Sequence, residues 1–277
     1  MNFDFNEDQY AFQEIASRLL TDNFPLQADL SADKTRSSRL WASLRDLGLF
    51  ALPVPEAFDG LGLDSINLAL PMEELGKAVA PLSIAHTLAA ADLIGRYGTQ
   101  AQKEKLLPSL AAGNLRISIA SQEESASYDL HDATSVKGGQ SLHTVKLLAP
   151  DADEADYFLV TAKTASGRPA VFLIDRARPG VLVSKQKTID PAAAFHRCLF
   201  DGLKISDIDM LGSAAPEQAA HRLFDVCATL YAGMALGVAA RLLELSVRYA
   251  KERTQFGKPI GSFQAIKHKC ADMAVAV

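Results

Sequence analysis

The sequence has few of the residues that build disulfide frameworks and metal centres. Its three cysteines are widely spaced, without a CxxC pair, and its six histidines show no HExxH or HxxxH spacing. No GxSxG elbow is present either. We therefore expect no disulfide framework, no metal site and no serine-hydrolase nucleophile, in a chain suited to a reducing cytoplasm.

Positive charge is also scarce. The 277 residues carry 28 Lys+Arg and 33 Asp+Glu, which gives a formal net charge of -5 at pH 7. Without a cationic excess, nucleic acid is not an expected partner. No run approaches the roughly 18 consecutive apolar residues of a membrane span, and the acidic N-terminal residues do not resemble a signal peptide. The sequence therefore predicts no nucleic-acid binding, no membrane span and a cytoplasmic location.

The hydrophobic period changes twice along the chain. The first hundred residues follow a helical period, and Asn6 with Gln9 predicts a capping box. Short strand-like runs separated by Gly, Pro and Asp follow, and the helical period then returns. We therefore predict a multi-domain α and β fold, with an N-terminal helical domain at residues 1–115, a small central β-barrel or sandwich at 116–212 and a C-terminal helical bundle at 213–277.

The C-terminal bundle is expected to be incomplete in this sequence. The last residue, Val277, stands inside a helical pattern without a helix stop signal. Two C-terminal helices alone would leave apolar faces open. We expect either that the sequence is a fragment or that other helices complete the bundle.

The most informative stretch of the chain is residues 249–268. It predicts the end of an amphipathic helix, a turn broken by glycine and proline, and the start of a second helix. Around the break stand a permanent cation, Arg253, an aromatic ring, Phe256, and an amide, Gln264. Arginine grips phosphate oxygens with two N–H groups and rings pack on heterocycles, so these residues suit a phosphate-bearing planar ligand. The alternative is an ordinary helix–turn–helix with a solvated Arg253 and a core Phe256.

The same stretch closely resembles a signature of the flavin-dependent acyl-CoA dehydrogenases. Further landmarks of that family occur in order along the chain, at residues 40–49, 55–62, 72–76, 96–108 and 174–181. The resemblance implies a helical N-terminal domain, a central β domain, a C-terminal four-helix bundle, an FAD cofactor and an acyl-CoA substrate. It also implies α,β-dehydrogenation, in which a base removes an α-proton and a hydride passes to the flavin, in a dimer of dimers. The signature's Arg, Phe and Gln contact the FAD of a neighbouring subunit, a role that falls here on Arg253, Phe256 and Gln264.

The chain departs from the family where the flavin should be received. The family's Thr-Glu-Pro-Gly-x-Gly-Ser-Asp run aligns with residues 122–129, where only Glu123 and Asp129 are retained. Two serines and the bulky Tyr128 would obstruct the close backbone approach that glycine allows. We interpret this stretch as a surface loop and the acidic pair of Glu123 and Glu124 as solvated.

A second flavin-facing run is altered as well. The family's Trp-Ile-Thr aligns with Leu148, Ala149 and Pro150. Leucine offers no ring to shield a flavin, and proline has neither a hydroxyl nor an N–H. Because both runs are changed together, drift at a single tolerant position does not explain the pattern.

The helix after the β domain carries the remaining candidates. The family's Phe-Asp-x-x-Arg run matches Phe224 and Asp225, which the resemblance makes candidate substrate-binding residues, but its Arg is replaced by Ala228. Some subfamilies place the catalytic base where Cys227 stands. Nothing nearby in sequence lowers the pKa of that thiol, so we interpret it as a buried structural cysteine. Other subfamilies place a base Glu in a C-terminal region beyond this sequence. No catalytic residue is therefore predicted.

Three functions fit this pattern. The chain is an autonomous FAD-dependent acyl-CoA dehydrogenase, a non-catalytic partner subunit that lends Arg253, Phe256 and Gln264 to a flavin in a second chain, or an inactive acyl-CoA-binding scaffold or fragment. Heteromeric family members in bacterial steroid side-chain degradation resemble the second arrangement. The retained donor residues and the altered receiving residues favour it. The resemblance also implies a homo- or hetero-tetramer and an electron-transfer flavoprotein as electron acceptor.

Overall fold

The computed structural model describes residues 4–25, 34–125, 127, 129–136, 141–190 and 193–277. Its α-helices are α1 (Glu7–Asn23), α2 (Lys34–Asp46), α3 (Ala69–Lys77), α4 (Leu82–Tyr97), α5 (Gln100–Ala111), α6 (Pro216–Glu252) and α7 (Gln264–Ala276). Its strands are β1 (Ile117–Ala120), β2 (Ser141–Pro150), β3 (Tyr157–Lys163), β4 (Pro169–Asp175), β5 (Val181–Lys185), β6 (Phe195–Lys204), β7 (Met210–Leu211), β8 (Thr254–Gln255) and β9 (Lys258–Pro259). The predicted order of helices, strands and helices is confirmed, as is the capping box of Asn6 and Gln9.

The chain divides into two compact units. The first comprises Met1–Pro25, Ala69–Ala80 and Tyr231–Val277, and the second comprises Leu26–Leu68 and Pro81–Leu230. Helix α6 contributes its first part to the second unit and the remainder to the first. The domain boundaries that the sequence predicts, at residues 115 and 212, remain predictions.

Within the second unit, helix α4 is buried along most of its length. Twelve consecutive residues, 83–94, are buried, and one of them is an acid. Asp92 accepts two hydrogen bonds from Arg222, at 2.8 and 2.9 Å, and one from Arg96 at 3.0 Å. Burial alone would raise the pKa of Asp92, but the two arginines hold it below its usual value. The ion pair fixes the start of α6 to α4.

Two sheets of the second unit share one apolar core. The first has the strand order β1-β3-β4-β7, in which β1 and β3 are parallel, and the second is the antiparallel sheet β2-β6-β5. Inward-facing residues of both sheets form the core, where the rings of Phe158 and Phe200 meet edge to face with centroids 5.6 Å apart. The predicted small central β domain is therefore confirmed as two sheets packed face to face.

Within the first unit, α3 and the second part of α6 cross with their backbones in contact. A methyl group on Gly76 would lie 2.0 Å from the carbonyl oxygen of Met234, and one on Gly237 would lie 1.9 Å from that of Glu73. Only glycine permits such an approach. This crossing fixes the middle of α6 against α3.

The second part of α6 leaves several large apolar side chains exposed. Leu236, Leu242 and Tyr249 are 42%, 59% and 58% exposed. By length and composition alone the helix is apolar enough to cross a membrane, and 28% of its most apolar stretch is buried. One such helix is weak evidence, since core helices of soluble proteins pass the same test. The absence of a membrane span stays a prediction.

Candidate functional site

Arg253 directly follows α6, and the chain then reverses in a two-residue hairpin. Strands β8 and β9 pair with each other and leave Phe256 and Gly257 as the turn, with φ angles of 52° and 75°. Positive φ at both central positions is the type I′ geometry that suits hairpins. Glycine adopts it without steric cost, whereas a left-handed phenylalanine costs about 1–2 kcal/mol.

Burial does not offset that cost. The Phe256 side chain is 92% exposed. Its ring meets the ring of Phe263 edge to face, with centroids 6.1 Å apart and planes at 86°. The interpretation of Phe256 as a core residue is therefore wrong, because the turn directs the ring into solvent.

Arg253 and Gln264 are also exposed. The Arg253 backbone is fixed at both ends, since its N–H donates to the Tyr249 carbonyl and its carbonyl accepts from the Ile260 N–H, each at 2.8 Å. In the part of the chain that the structure describes, no carboxylate lies within ion-pair distance of its guanidinium. Gln264 is the first residue of α7. The hairpin and the adjoining helix start thus carry an uncompensated cation, an open ring and an amide.

Residues retained from the altered flavin run line a small cavity in the second unit. Glu123, Asp129 and Phe224 are among its walls, and its volume is about 20 Å³. Such a space holds roughly one water molecule. Asp225 is exposed and does not line the cavity, and the obstruction predicted for Tyr128 falls outside the described residues.

Glu123 is anchored rather than solvated. Lys146, a fully buried residue of β2, places its Nζ 2.6 Å from Glu123 Oε1. Thr134 donates its N–H and its hydroxyl to the same carboxylate, both at 3.0 Å, and Thr144 donates its hydroxyl at 3.2 Å. The expectation of a solvated pair is therefore wrong for Glu123, because a buried ammonium requires a carboxylate partner; Glu124 is exposed.

These contacts make Glu123 a structural acid. Burial alone would raise its pKa, but the hydrogen bonds from Lys146 and Thr134 hold the pKa of Glu123 below its usual value. Burial lowers the pKa of Lys146, and the neighbouring carboxylate opposes that shift. A carboxylate that accepts four hydrogen bonds is a poor proton acceptor at neutral pH. Its effect is to tie the loop at 123–134 to β2.

Near the end of β2, positions 148 and 150 have no free N–H among the described residues that could donate to a planar heterocycle. Leu148 has a φ of 53° in a bulge, and its N–H donates to Gln186 Oε1 at 3.0 Å. Pro150 is buried and lacks an N–H, and its carbonyl accepts from Ser118 Oγ at 2.8 Å. With neither a ring nor a hydroxyl at these positions, this strand end does not fit a flavin ring.

Cys227, the candidate from the sequence, and Cys198 both have raised pKa values. Burial raises the pKa of Cys227 and the pKa of Cys198 to about 12 each. Both thiols are therefore protonated at neutral pH and serve neither as base nor as nucleophile. Across the described residues, no group of three or more His, Cys, Asp or Glu side chains is placed to hold a metal ion.

Comparison with known proteins decides the family. The acyl-CoA dehydrogenase N-terminal domain family matches residues 6–114, and the acyl-CoA dehydrogenase C-terminal domain family matches residues 218–277. Benzylmalonyl-CoA dehydrogenase of Aromatoleum aromaticum is 30% identical over 292 residues, covering 100% of this chain and 77% of that protein. The chain belongs to the acyl-CoA dehydrogenase family.

Solved structures share its fold. The FAD complex of PigA superposes with a TM-score of 0.84 at 28% identity, covering 99% of this chain and 76% of that one. A steroid ACAD variant named Tcur3481-Tcur3483 superposes with a TM-score of 0.83 at 31% identity, covering 97% and 73%. The predicted acyl-CoA dehydrogenase fold, with a helical N-terminal part, a central β part and C-terminal helices, is confirmed.

The sequence predicts a role for the hairpin residues, which stays a prediction, and it does not reveal the buried ion pair of Lys146 and Glu123. Arg253, Phe256 and Gln264 lie in one local stretch, so a single motif exposes them. Lys146 stands among the inward-facing residues of β2, which alternate along the strand. A lysine at an inward position indicates that a buried acid must pair with it, but the sequence does not tell which acid; the structure identifies Glu123.

Proposed function

We propose that this chain is a subunit of an FAD-dependent acyl-CoA dehydrogenase and lends Arg253, Phe256 and Gln264 to a flavin held mainly by a neighbouring chain. The observation that carries the proposal is the hairpin, where a ring in a costly backbone conformation is 92% exposed next to an uncompensated cation. Backbone strain of this kind concentrates at ligand sites. FAD, when bound, supplies the hydride acceptor for dehydrogenation. Arg253 is suited to its phosphates and Phe256 to its ring systems.

We further propose that this chain is the partner subunit and not the catalytic one. The observation behind this proposal is that the end of β2 lacks a ring, a hydroxyl and a spare N–H at positions 148 and 150. Cys227 is protonated, so the α-proton has no acceptor there. In this arrangement a second chain supplies the flavin-receiving strand. The relative named as a pair, Tcur3481-Tcur3483, supports a two-chain arrangement.

The proposed substrate of the assembly is an acyl-CoA thioester, in keeping with the name of the relative benzylmalonyl-CoA dehydrogenase. Phe224 and Asp225 are its candidate contacts in this chain. Phe224 lines the small cavity, whereas Asp225 is exposed, so Asp225 is free to meet a ligand or a second chain. We propose a cytoplasmic homo- or hetero-tetramer that passes its electrons to an electron-transfer flavoprotein.

A second candidate is an autonomous acyl-CoA dehydrogenase. The observation in its favour is that Glu123, Asp129 and Phe224, all retained from the family runs, converge on one cavity. In that case each chain would hold its own FAD. An inactive scaffold, in contrast, would bind an acyl-CoA without any flavin.

The hairpin role is tested by FAD retention in natively purified protein together with any companion chain. A hydrogen bond to a charged group contributes about 1.5–3 kcal/mol, so Arg253→Ala should weaken FAD binding about tenfold or more. Arg248→Ala is the matched control, because it removes another exposed arginine five residues earlier. Equal FAD affinity in both variants, measured by fluorescence titration, would contradict the role of Arg253.

A further inference from the structure

We propose that Phe263 is a positioning residue that holds the Phe256 ring in its presented orientation; the inference rests on the function proposed above and deepens it. Two hairpin residues touch the Phe263 ring. Phe256 meets it edge to face, with centroids 6.1 Å apart, and the Lys258 ammonium lies 4.6 Å from its centroid. Both contacts suit the negative face and positive edge of an aromatic ring.

Phe263 is itself firmly held. It is the N-cap of α7, with φ of -83° and ψ of 134°. Its N–H donates to the Ile260 carbonyl, and its carbonyl accepts from the N–H groups of Ile266 and Lys267, all at 3.1 Å. Its side chain is half-buried, whereas Phe256 is 92% exposed. A residue with a fixed backbone and a half-buried ring therefore contacts an exposed and strained one.

The same residue connects all three flavin-facing groups. Gln264 follows Phe263 directly, and the short helix Ile260–Ser262 before it is tied to Arg253 through the Ile260 N–H. The positioning role requires no direct contact between Phe263 and FAD. Without the Phe263 ring, the Phe256 ring loses its edge-to-face contact and is free to change its orientation.

The positioning role is tested first on the full chain alone, without FAD. 4-Fluorophenylalanine placed at position 256 reports the surroundings of that ring through its 19F resonance. Phe263→Leu and Phe263→Met, which keep apolar bulk without a ring, should narrow this resonance and move it toward the free amino-acid value. Phe263→Tyr should retain the original signal, and Phe195→Leu, at a half-buried ring of the second unit, should not affect it. An unchanged resonance in both ring-removing variants would overturn the inference.

The consequence for FAD is measured on the natively purified assembly. Loss of an edge-to-face ring pair corresponds to a change of about two- to tenfold, so Phe263→Leu should weaken FAD binding by that factor while Phe263→Tyr retains it. If Phe263→Leu releases the Phe256 ring but leaves FAD affinity unchanged, the positioning role stands. The FAD role proposed for the hairpin is then contradicted.

Discussion

The hairpin turn and the end of β2 each contain a residue in the left-handed backbone conformation, but the surroundings of the two residues differ. Phe256 and Leu148 both adopt a left-handed conformation, with φ of 52° and 53°. At the hairpin the ring projects into solvent next to a cation without a carboxylate partner in the described chain. At β2 the exposed N–H is taken by Gln186 and the nearby proline carbonyl by a serine hydroxyl. One strained site is open to a ligand and the other is satisfied internally.

The difference separates a functional role from a structural one. Polar groups that a chain leaves uncompensated are available to a partner, whereas groups that it pairs internally stabilise its own fold. By that criterion the hairpin is the part of this chain that we propose for a shared site. The loop and strand joined by Glu123 and Lys146 belong to the scaffold. A family member that retains the hairpin residues but not the flavin-receiving residues matches the partner subunit that we propose.

The largest expected effect comes from breaking the buried pair. Lys146→Met leaves the Glu123 carboxylate without its ammonium, and removing one partner of a buried ion pair costs about 3–5 kcal/mol. Thermal unfolding should detect the loss, and the double variant with Glu123→Gln should recover part of it. Lys185→Met, at an exposed lysine of β5, is the control. A loss of FAD affinity without a loss of stability would contradict the structural role of this pair, since it would place the pair in the flavin site.

Stability and FAD affinity should move in opposite directions at the turn. Phe256→Asn creates the Asn-Gly pair that a type I′ turn favours and relieves about 1–2 kcal/mol of strain. The lost ring pair with Phe263 offsets about 0.5–1.5 kcal/mol of that gain, so the chain should be stabilised by up to about 1 kcal/mol. The same change removes the presented ring and should weaken FAD binding of the assembly about threefold to tenfold. Thermal unfolding and fluorescence titration measure the two quantities. If both fall together, the ring supports the fold and is not displayed for a ligand.

Protonation of Glu123 should reduce the stability of the folded chain at acid pH. Its pKa lies lower in the folded chain than the ordinary value of 4.5, so the unfolded chain binds its proton more readily. The resulting stability is present above pH 4.5 and is lost as the pH falls through the folded pKa. The melting temperature of the unsubstituted chain should therefore drop more steeply between about pH 5 and 3 than that of Glu123→Gln. Parallel plots of melting temperature against pH for the two chains would show that the pKa of Glu123 is not lowered by folding.

The smallest effect is expected at Cys227. Because burial raises the pKa of its thiol to about 12, Cys227→Ala should leave acyl-CoA-dependent reduction of an electron acceptor by the assembly within about twofold of its original rate. Loss of a general base costs about a hundredfold or more. A drop of that size with normal FAD content would show that Cys227 is the catalytic base.

Local patterns explain what the sequence could predict. The helices, the strands, the capping box at Asn6 and the hairpin residues all depend on neighbours within a few positions. The ion pair of Glu123 and Lys146 depends on two segments that meet only after the sheet forms, and so does the contact between Gln186 and Leu148. Sequence alone therefore placed Glu123 in solvent. It could not tell that the strand end is closed by the chain's own side chains.

The central claim, that this chain shares a flavin with a second chain, is tested most directly by FAD stoichiometry. The protein is purified natively with whatever accompanies it, and its FAD is measured by visible absorbance against total polypeptide. The partner-subunit account predicts about one FAD per two chains, with a second polypeptide present, since only one of the two chains receives the flavin. About one FAD per chain, with no companion, would contradict it and identify an autonomous dehydrogenase.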